Sequence, residues 1–401
     1  MSAGTGNDLL TVTGSATLAG TLNLKLVNGF TPSLGQTFLI ASYGSRVGTF
    51  NFVAPPHMPQ EVAFQLDYTT IPTQLNVQTV APVAQNWLPA TSTTTWATPG
   101  NWDNQTTPGT TSSVSLVNST ATAKTLTVST STTVHRITLQ GTAGAALNLN
   151  VPQGIQLGVA NQVVVGPNAT LSGGGQVLGD VVVGAGTVAP GAPTGALGVS
   201  GDLTASATGS VKVSLAGSPA SGAFSQLNIK GTATLSGTLD VSLTGGYSPA
   251  GLDSFQVMGF GARVGHFNKY LNLDVPGALT LAPIYSATAL QLVATLPGDA
   301  TLDGKVDFLD LAKLAQSYNV TDGNRQWVEG DFNSDGAVDF LDLAMLAQQY
   351  NTALPAGAIP GASAGFDADL ARAFANVPEP SCLGLLALGM LGLRRRHRRA
   401  I

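Results

Sequence analysis

The sequence has little of what most enzymes and most disulfide-built domains use. Its single cysteine, Cys382, excludes an internal disulfide framework and leaves the redox compartment open. Its four histidines, His57, His135, His266 and His397, are scattered without an i, i+4 partner or a nearby cysteine, so no zinc site is expected. No G-x-S-x-G elbow is present. Charged residues make up only 10% and aromatics only 6%, yet mean hydropathy is positive. That combination disfavours disorder, which pairs low hydrophobicity with high charge. The opening Met1-Ser-Ala-Gly-Thr-Gly-Asn-Asp8 has neither the basic segment nor the apolar run of a signal peptide.

What is abundant is glycine, 48 of 401 residues, with many Thr, Ser, Ala and Val, a profile of many short strands. Net charge is −5, but the charges are clustered. Ten of the 22 acids lie between Asp299 and Asp342, and five of the 17 Lys and Arg residues lie between Arg394 and Arg399. Whole-chain charge therefore says little about partners, and no nucleic-acid partner is expected.

A gapless internal repeat relates roughly residues 11–79 to 228–296 at an offset of 217. Gly14-Ser-Ala-Thr-Leu-Ala-Gly-Thr-Leu22 aligns with Gly231-Thr-Ala-Thr-Leu-Ser-Gly-Thr-Leu239, and Phe38/Phe255, Arg46/Arg263, Phe50/Phe267 and Tyr68/Tyr285 fall in register. Within each copy Leu22, Leu24 and Leu26, or Leu239, Val241 and Leu243, alternate with polar residues, the period-two mark of a half-buried strand. Asn28-Gly29 and Gly245-Gly246 mark turns.

Between the copies, runs such as Leu126–Val128, Ile137–Leu139, Leu147–Leu149, Val163–Val165, Val181–Val183 and Val211–Val213 recur between turn residues, with no helical periodicity. Such spacing predicts a mainly β architecture, a right-handed parallel β-helix or solenoid, with a β-sandwich as the alternative. Trp96–Trp102, Leu171–Asp180 and Gly186–Gly191 give residues 87–296 a resemblance to autotransporter-associated β-strand repeat proteins. Residues 1–80 read as an incomplete repeat copy and 87–296 as the β-helix-like region. The first copy lacks the run of coils that precedes the second, so the gene is expected to start further upstream, with a naturally short paralogue as the alternative.

Two twelve-residue stretches carry the sharpest chemistry. Asp299, Thr301, Asp303, Asp307 and Asp310 occupy loop positions one, three, five, nine and twelve, with Gly304 at six. Asp331, Asn333, Asp335, Asp339 and Asp342, with Gly336, repeat the pattern 32 residues on. Calcium takes six to eight oxygens, and this spacing converges alternate side chains while glycine permits the sharp turn. The carbonyls of Lys305 and Ala337 supply position seven, giving two expected Ca²⁺ sites. Thr301 gives the first site one fewer charged ligand, hence weaker binding.

After each loop, Leu311, Leu314, Ala315 and Tyr318, and then Leu343, Leu346, Ala347 and Tyr350, fall at i, i+3, i+4 and i+7, predicting two helices whose apolar faces pack together. With Asp at position twelve and no clear helix before either loop, residues 297–351 resemble a type I dockerin, a small α-helical paired-loop domain. The resemblance implies a cohesin partner, often in a polysaccharide-degrading complex. Phe308-Leu309 and Phe340-Leu341 stand where partner-recognising dockerins commonly carry small polar residues, so a calcium-stabilised spacer is an equal expectation.

Residues 352–376, rich in Ala, Gly and Pro, read as a linker. Val377, Pro378, Glu379 and Pro380 then precede an apolar run from Cys382 to Leu393 and an arginine cluster. A helix over that run spans only about 18 Å against a hydrocarbon core of about 30 Å. The order of segments over 377–399 resembles the PEP-CTERM sorting signal. The resemblance implies a short membrane-directed helix, processing by an exosortase-type protease, and an exported chain at the cell surface or outside it, transiently anchored with the arginines on the cytoplasmic side.

Catalytic readings are weaker. Gly184-Ala-Gly186-Thr-Val-Ala189 copies a dinucleotide fingerprint, but Pro190–Pro193 prevents the helix that the fingerprint needs. Asp180 and Asp202 each follow a glycine and could stack on adjacent coils as a carboxylate pair, though Gly-Asp is ordinary turn chemistry. Trp96 and Trp102 could stack on sugars, though local core is their commoner use. The expectation is a non-enzymatic surface or matrix protein, with a polysaccharide-degrading enzyme or accessory protein as the alternative.

Overall fold

The computed structural model describes residues 7–89, 95–191 and 194–353. From Ser112 onward the chain visits two sheets by turns. Ser112–Asn118, Arg136–Gly141, Gln156–Val165, Gln176–Val183 and Gly195–Val199 are successive parallel neighbours in the larger, 13-stranded sheet. Lys124–Thr127, Leu147–Asn150, Ala169–Gly173, Thr187–Pro190 and Ser210–Leu215 are successive parallel neighbours in a 7-stranded one.

Period-two alternation sets the register. On the larger sheet Val114, Ile137, Val163, Val181, Leu203 and Ala233 follow one another as backbone partners, and all are buried. Leu126, Leu149, Leu171, Val188, Val211 and Leu239 form the matching column on the smaller sheet and have no exposed surface. The two columns belong to one continuous apolar core. Each residue in a column leaves water because the neighbouring strand sets the next apolar side chain beside it.

The large sheet is mixed rather than wholly parallel. Ser254–Gly265 pairs antiparallel with Ala289–Thr295, which pairs antiparallel with Leu279–Tyr285.

The 217-residue repeat is a repeat of pairings. In the first copy Leu10–Leu18 lies parallel to Thr37–Gly48, and Thr21–Asn23 parallel to Phe52–Ala54. Gln74–Val80 runs antiparallel to both Thr37–Gly48 and Ala63–Asp67. The second copy reproduces each pairing with Ser225–Leu235, Thr238–Leu243, Ser254–Gly265, Lys269–Leu271, Leu279–Tyr285 and Ala289–Thr295. Even the aromatic clasp is repeated: the guanidinium of Arg46 lies 4.8 Å from the Tyr68 ring centroid, and that of Arg263 lies 4.6 Å from Tyr285.

The first copy meets the body through the segment around residues 57–60. Met58 N–H donates to the Ala160 carbonyl at 2.6 Å, and Asn161 Nδ2 donates to the Met58 carbonyl at 3.0 Å. His57 Nδ1 lies 3.3 Å from Asp180 Oδ2, and that hydrogen bond holds the imidazole pKa above its ordinary value of 6.5. A raised folded-state value makes the stabilisation complete below about pH 6.5 and lost as pH rises through the raised value. Amide exchange at Met58, corrected for its intrinsic pH dependence, should therefore quicken from pH 6 to pH 8. His57→Ala should remove that dependence, and an unchanged profile in the variant would show that the ion pair contributes nothing to the contact.

Candidate calcium-loop module

Residues 297–353 fold as two equivalent units, each a loop followed by a helix. The helices are α1 (Phe308–Ser317) and α2 (Phe340–Gln349). The 32-residue equivalence extends to the backbone. Leu302 and Ser334 at position four have φ of 59° and 58°, Gly304 and Gly336 at position six have 80° and 87°, and Asn319 and Asn351 after the helices have 66° and 65°. At position eight, Val306 bridges to Thr352 and Val338 bridges to Val320.

Within each loop the first and last carboxylates point inward. Asp299, Asp310, Asp331 and Asp342 are all buried. Asp299 accepts from the N–H groups of Asp303 at 3.2 Å and Gly304 at 2.9 Å, and from the Thr295 hydroxyl. Asp310 accepts from Thr301 N–H at 2.9 Å and from Asp307 N–H at 2.8 Å. In the second loop Asp331 accepts from Asp335 and Gly336, and Asp342 accepts from Phe332, Asn333 and Asp339. Asp303 and Asp335 turn to the N–H groups of Lys305 and Ala337.

The ninth and twelfth positions serve the helices as well as the loops. Asp307 caps α1 through Leu309 N–H at 2.8 Å while Asp310 returns to Asp307 N–H, a complete capping box. Asp339 and Asp342 do the same for α2.

The loops differ at position three. Thr301 turns its hydroxyl onto Asp310 at 3.0 Å, whereas Asn333 gives its amide to the Asp335 carboxylate at 3.0 Å. The Thr301 hydroxyl lies 3.4 Å from Asp299 as well, between the two inward carboxylates of its own loop.

Among the described residues, none of the four buried carboxylates is paired with Lys, Arg or His, and no three His, Cys, Asp or Glu side chains are gathered as a ready-made cluster. Burial pushes the Asp331 carboxyl up to about 7, helped by the negative charges of Asp342 and Asp335. Asp299 and Asp342 are raised in the same direction, again chiefly by burial. Buried, uncompensated carboxylates on a turn of oxygen donors fit a hard divalent cation, which would replace the missing positive charge.

The residues that lock the two units together were not legible as ligands. Gly298 and Gly330, each one residue before its loop, have φ of 101° and 105°. A methyl group at Gly298 would lie 3.0 Å from the Leu346 Cα of α2, and one at Gly330 would lie 2.7 Å from the Leu314 Cα of α1. Each loop therefore begins against the other unit's helix, and the signal in the sequence is Gly-Asp recurring at 32 residues. Trp327, buried, donates from Nε1 to the Asp299 carbonyl at 2.7 Å.

The predicted helix faces need correction. Leu314 and Leu346 are buried, but Ala315 and Ala347 are exposed, and Tyr318 and Tyr350 lie beyond the helix ends and face outward. Leu311 and Leu343 are half-buried, and the closest approach is Leu314 and Leu346 against Gly330 and Gly298.

Residues 297–351 match the dockerin type I domain. Type I dockerins bind calcium and cohesins, and the dockerin here is held to the second repeat copy by His266 Nε2, 2.7 Å from the Gly323 carbonyl. Residues 376–399 match the PEP-CTERM protein-sorting motif, which marks an exported, sorted protein. That match, with Val377, Pro378, Glu379 and Pro380, lies outside the described residues, among which no helix is long and apolar enough to cross a membrane. Neither match reaches the β-rich body. No curated protein matches the chain.

The other sequence candidates fall out of the site. Asp180 Oδ1 accepts from Asp202 N–H at 2.9 Å, and Asp202 Oδ1 accepts from Thr232 N–H at 2.7 Å, so each carboxylate stitches one coil to the next. Trp96 and Trp102 are buried edge to face at 4.9 Å, with Trp102 Nε1 donating to the Trp96 carbonyl. They are core, not a sugar platform. Thr187–Pro190 is a strand, so the Gly184–Ala189 fingerprint opens no helix.

A carboxyl raised in the folded state stabilises the fold below its unfolded value of 3.8 and loses that contribution as pH rises through about 7. In chelator, the module should therefore lose stability from pH 4 to pH 7. Added calcium should restore it, and Asp331→Asn should flatten the metal-free profile. A profile in chelator that rises from pH 4 to pH 7, or one that Asp331→Asn leaves unchanged, would contradict this assignment of Asp331.

Proposed function

We propose that this chain is a non-enzymatic cell-surface or extracellular-matrix protein. Its body is a β-solenoid, parallel between the repeat copies and mixed within them, that presents an extended face, and its dockerin binds two calcium ions and docks a cohesin-type partner. Asp299, Thr301, Asp303, Asp307 and Asp310 with the Lys305 carbonyl would hold one ion, and Asp331, Asn333, Asp335, Asp339 and Asp342 with the Ala337 carbonyl the other. The ions supply charge compensation and fix the loops. An exosortase-type protease would remove the tail after export.

The observation that carries the reading is the pair of matched outward features on the dockerin. Phe308 and Phe340 are 68% and 69% exposed, each followed by an exposed leucine, Leu309 and Leu341, at the start of α1 and α2. Large apolar side chains held in water on capped helix starts mark a binding surface. The two-fold repetition offers the same feature in two orientations. Burying Phe–Leu selects a partner with an apolar face, in contrast to the small polar residues common at these positions. Coil-to-coil use of Asp180 and Asp202 supports the non-enzymatic part of the proposal.

The test is capture of the intact chain by immobilised cohesin domains in calcium. Replacing one pair, Phe340→Asp with Leu341→Asp, should leave capture through the other. Replacing all four should weaken it by about a hundredfold, with the calcium-loaded fold retained. Capture indifferent to all four substitutions would overturn the assignment of this surface.

A further inference from the structure

The two repeat copies share their backbone pairings but differ where the dockerin meets the second one. His266, Tyr270 and Pro283 occupy the places of Thr49, Val53 and Leu66 in the first copy, while Arg263, Phe267 and Tyr285 repeat Arg46, Phe50 and Tyr68. The repeated residues do the same work twice. Phe50 N–H donates to the Tyr68 hydroxyl at 3.4 Å and Phe267 N–H to the Tyr285 hydroxyl at 3.2 Å, each with its arginine over the tyrosine ring. The changed residues face the dockerin. His266 Nε2 donates to the Gly323 carbonyl at 2.7 Å, and the Tyr270 hydroxyl lies 2.9 Å from that of Tyr285. His266, Tyr270 and Tyr285 close against Trp327, Asp331 and Ser334 around a gap of about 10 Å³, room for one water.

Gly323 belongs to the segment that braces the second loop. Asn319 N–H donates to the Val338 carbonyl at 2.8 Å, Val338 N–H to the Val320 carbonyl at 2.9 Å and Arg325 N–H to the Gly336 carbonyl at 3.1 Å, so the segment runs along loop positions six to eight. The approach is close: a methyl group at Gly336 would lie 2.7 Å from the Gly323 carbonyl. Arg325 fixes the turn by pairing with Asp322 at 3.0 Å and Glu329 at 2.8 Å. The following turn, Trp327–Glu329, packs against Leu279–Tyr285 and leads through Gly330 to Asp331, position one of the same loop. Loop two is thus gripped by the body at both ends of this segment, at Gly323 and at Trp327. Loop one meets the body through its own chain, with the Thr295 hydroxyl donating to Asp299, and its brace, Asn351–Ala353, is exposed.

We propose that the second repeat copy is a built-in partner of the dockerin, with His266 and Tyr270 as positioning residues for the second calcium loop. The inference rests on the reading of Asp331–Asp342 as a calcium loop. Holding Gly323 and Trp327 against the body keeps Gly336 and Asp331 in place, so part of the ordering that binding requires is complete before the ion arrives. By linkage, an ion in loop two tightens the joint between dockerin and body by the same factor that the joint adds to its affinity. Calcium then fixes the direction in which Phe308 and Phe340 face relative to the body.

The test is calorimetric calcium titration of the intact chain and of variants carrying the first copy's residues, His266→Thr alone and His266→Thr with Tyr270→Val. The first copy forms the same pairings with Thr49 and Val53 in place, so the strands tolerate both changes. Loop-two affinity should fall by about fivefold in the single variant and by about tenfold or more in the double, with loop-one affinity unchanged. His266→Gln, which keeps an N–H donor, should retain most of the wild-type affinity. The reciprocal measurement is hydrogen exchange at Phe267 N–H, which calcium should slow by about fivefold or more in the wild type and not in Asp331→Ala. A wild-type chain that binds two ions with both affinities untouched by the variants, or weakened equally, overturns this proposal alone. A wild-type chain that binds no calcium overturns the calcium reading itself and the proposal with it.

Discussion

The structure depends on one constraint: the inward side chains of the body leave water only where neighbouring strands bring their own apolar side chains against them. With so few charges and aromatics, stability comes from columns of Val, Leu and Ile closed by the coil above. The constraint accounts for the composition, since thin coils need β-branched residues on the strands and small residues at the corners. It also accounts for the antiparallel pairs at Ser254–Thr295, which turn the last coil back on itself instead of leaving a parallel edge open.

Charge is handled locally where it occurs. In the body, Asp180 and Asp202 use their oxygens to join backbone N–H groups of adjoining coils, and His57 brings the first copy onto Asp180. In the dockerin the same kind of residue is buried without a cation. The capping boxes let Asp310 and Asp342 hold helix and loop together, while burial holds the carboxyls of Asp299, Asp331 and Asp342 above the ordinary carboxylate range. The loops' framework is set by backbone hydrogen bonds and by Gly298 and Gly330.

Much of this was legible in the sequence, because duplication exposes pairing. The 217-residue offset predicted two equal units, and the aligned Arg46/Arg263 and Tyr68/Tyr285 meet in the same clasp in both copies. The 32-residue offset located both loops and both helices. Less legible were features set by tertiary neighbours. Leu10 and Leu227 occupy equal sequence positions, yet Leu10 is exposed and Leu227 buried, because exposure depends on which coil lies alongside. Ala315 and Tyr318 fit a helical stripe on paper, but α1 ends at Ser317 and turns only Leu314 toward its partner's glycine. Trp96 and Trp102, by contrast, take the local-core use expected of them and are buried against each other.

The central claim is that two buried carboxylate loops make the dockerin a calcium-dependent module on the end of the β-rich body. Calorimetric calcium titration of the intact chain tests it most directly, with Asp331→Ala and Asp299→Ala as partners. Two binding events per chain are expected, the tighter one lost in Asp331→Ala and the weaker in Asp299→Ala, each with a gain in thermal stability of the module. Absence of calcium binding by the intact chain, or binding untouched by both substitutions, would contradict the account.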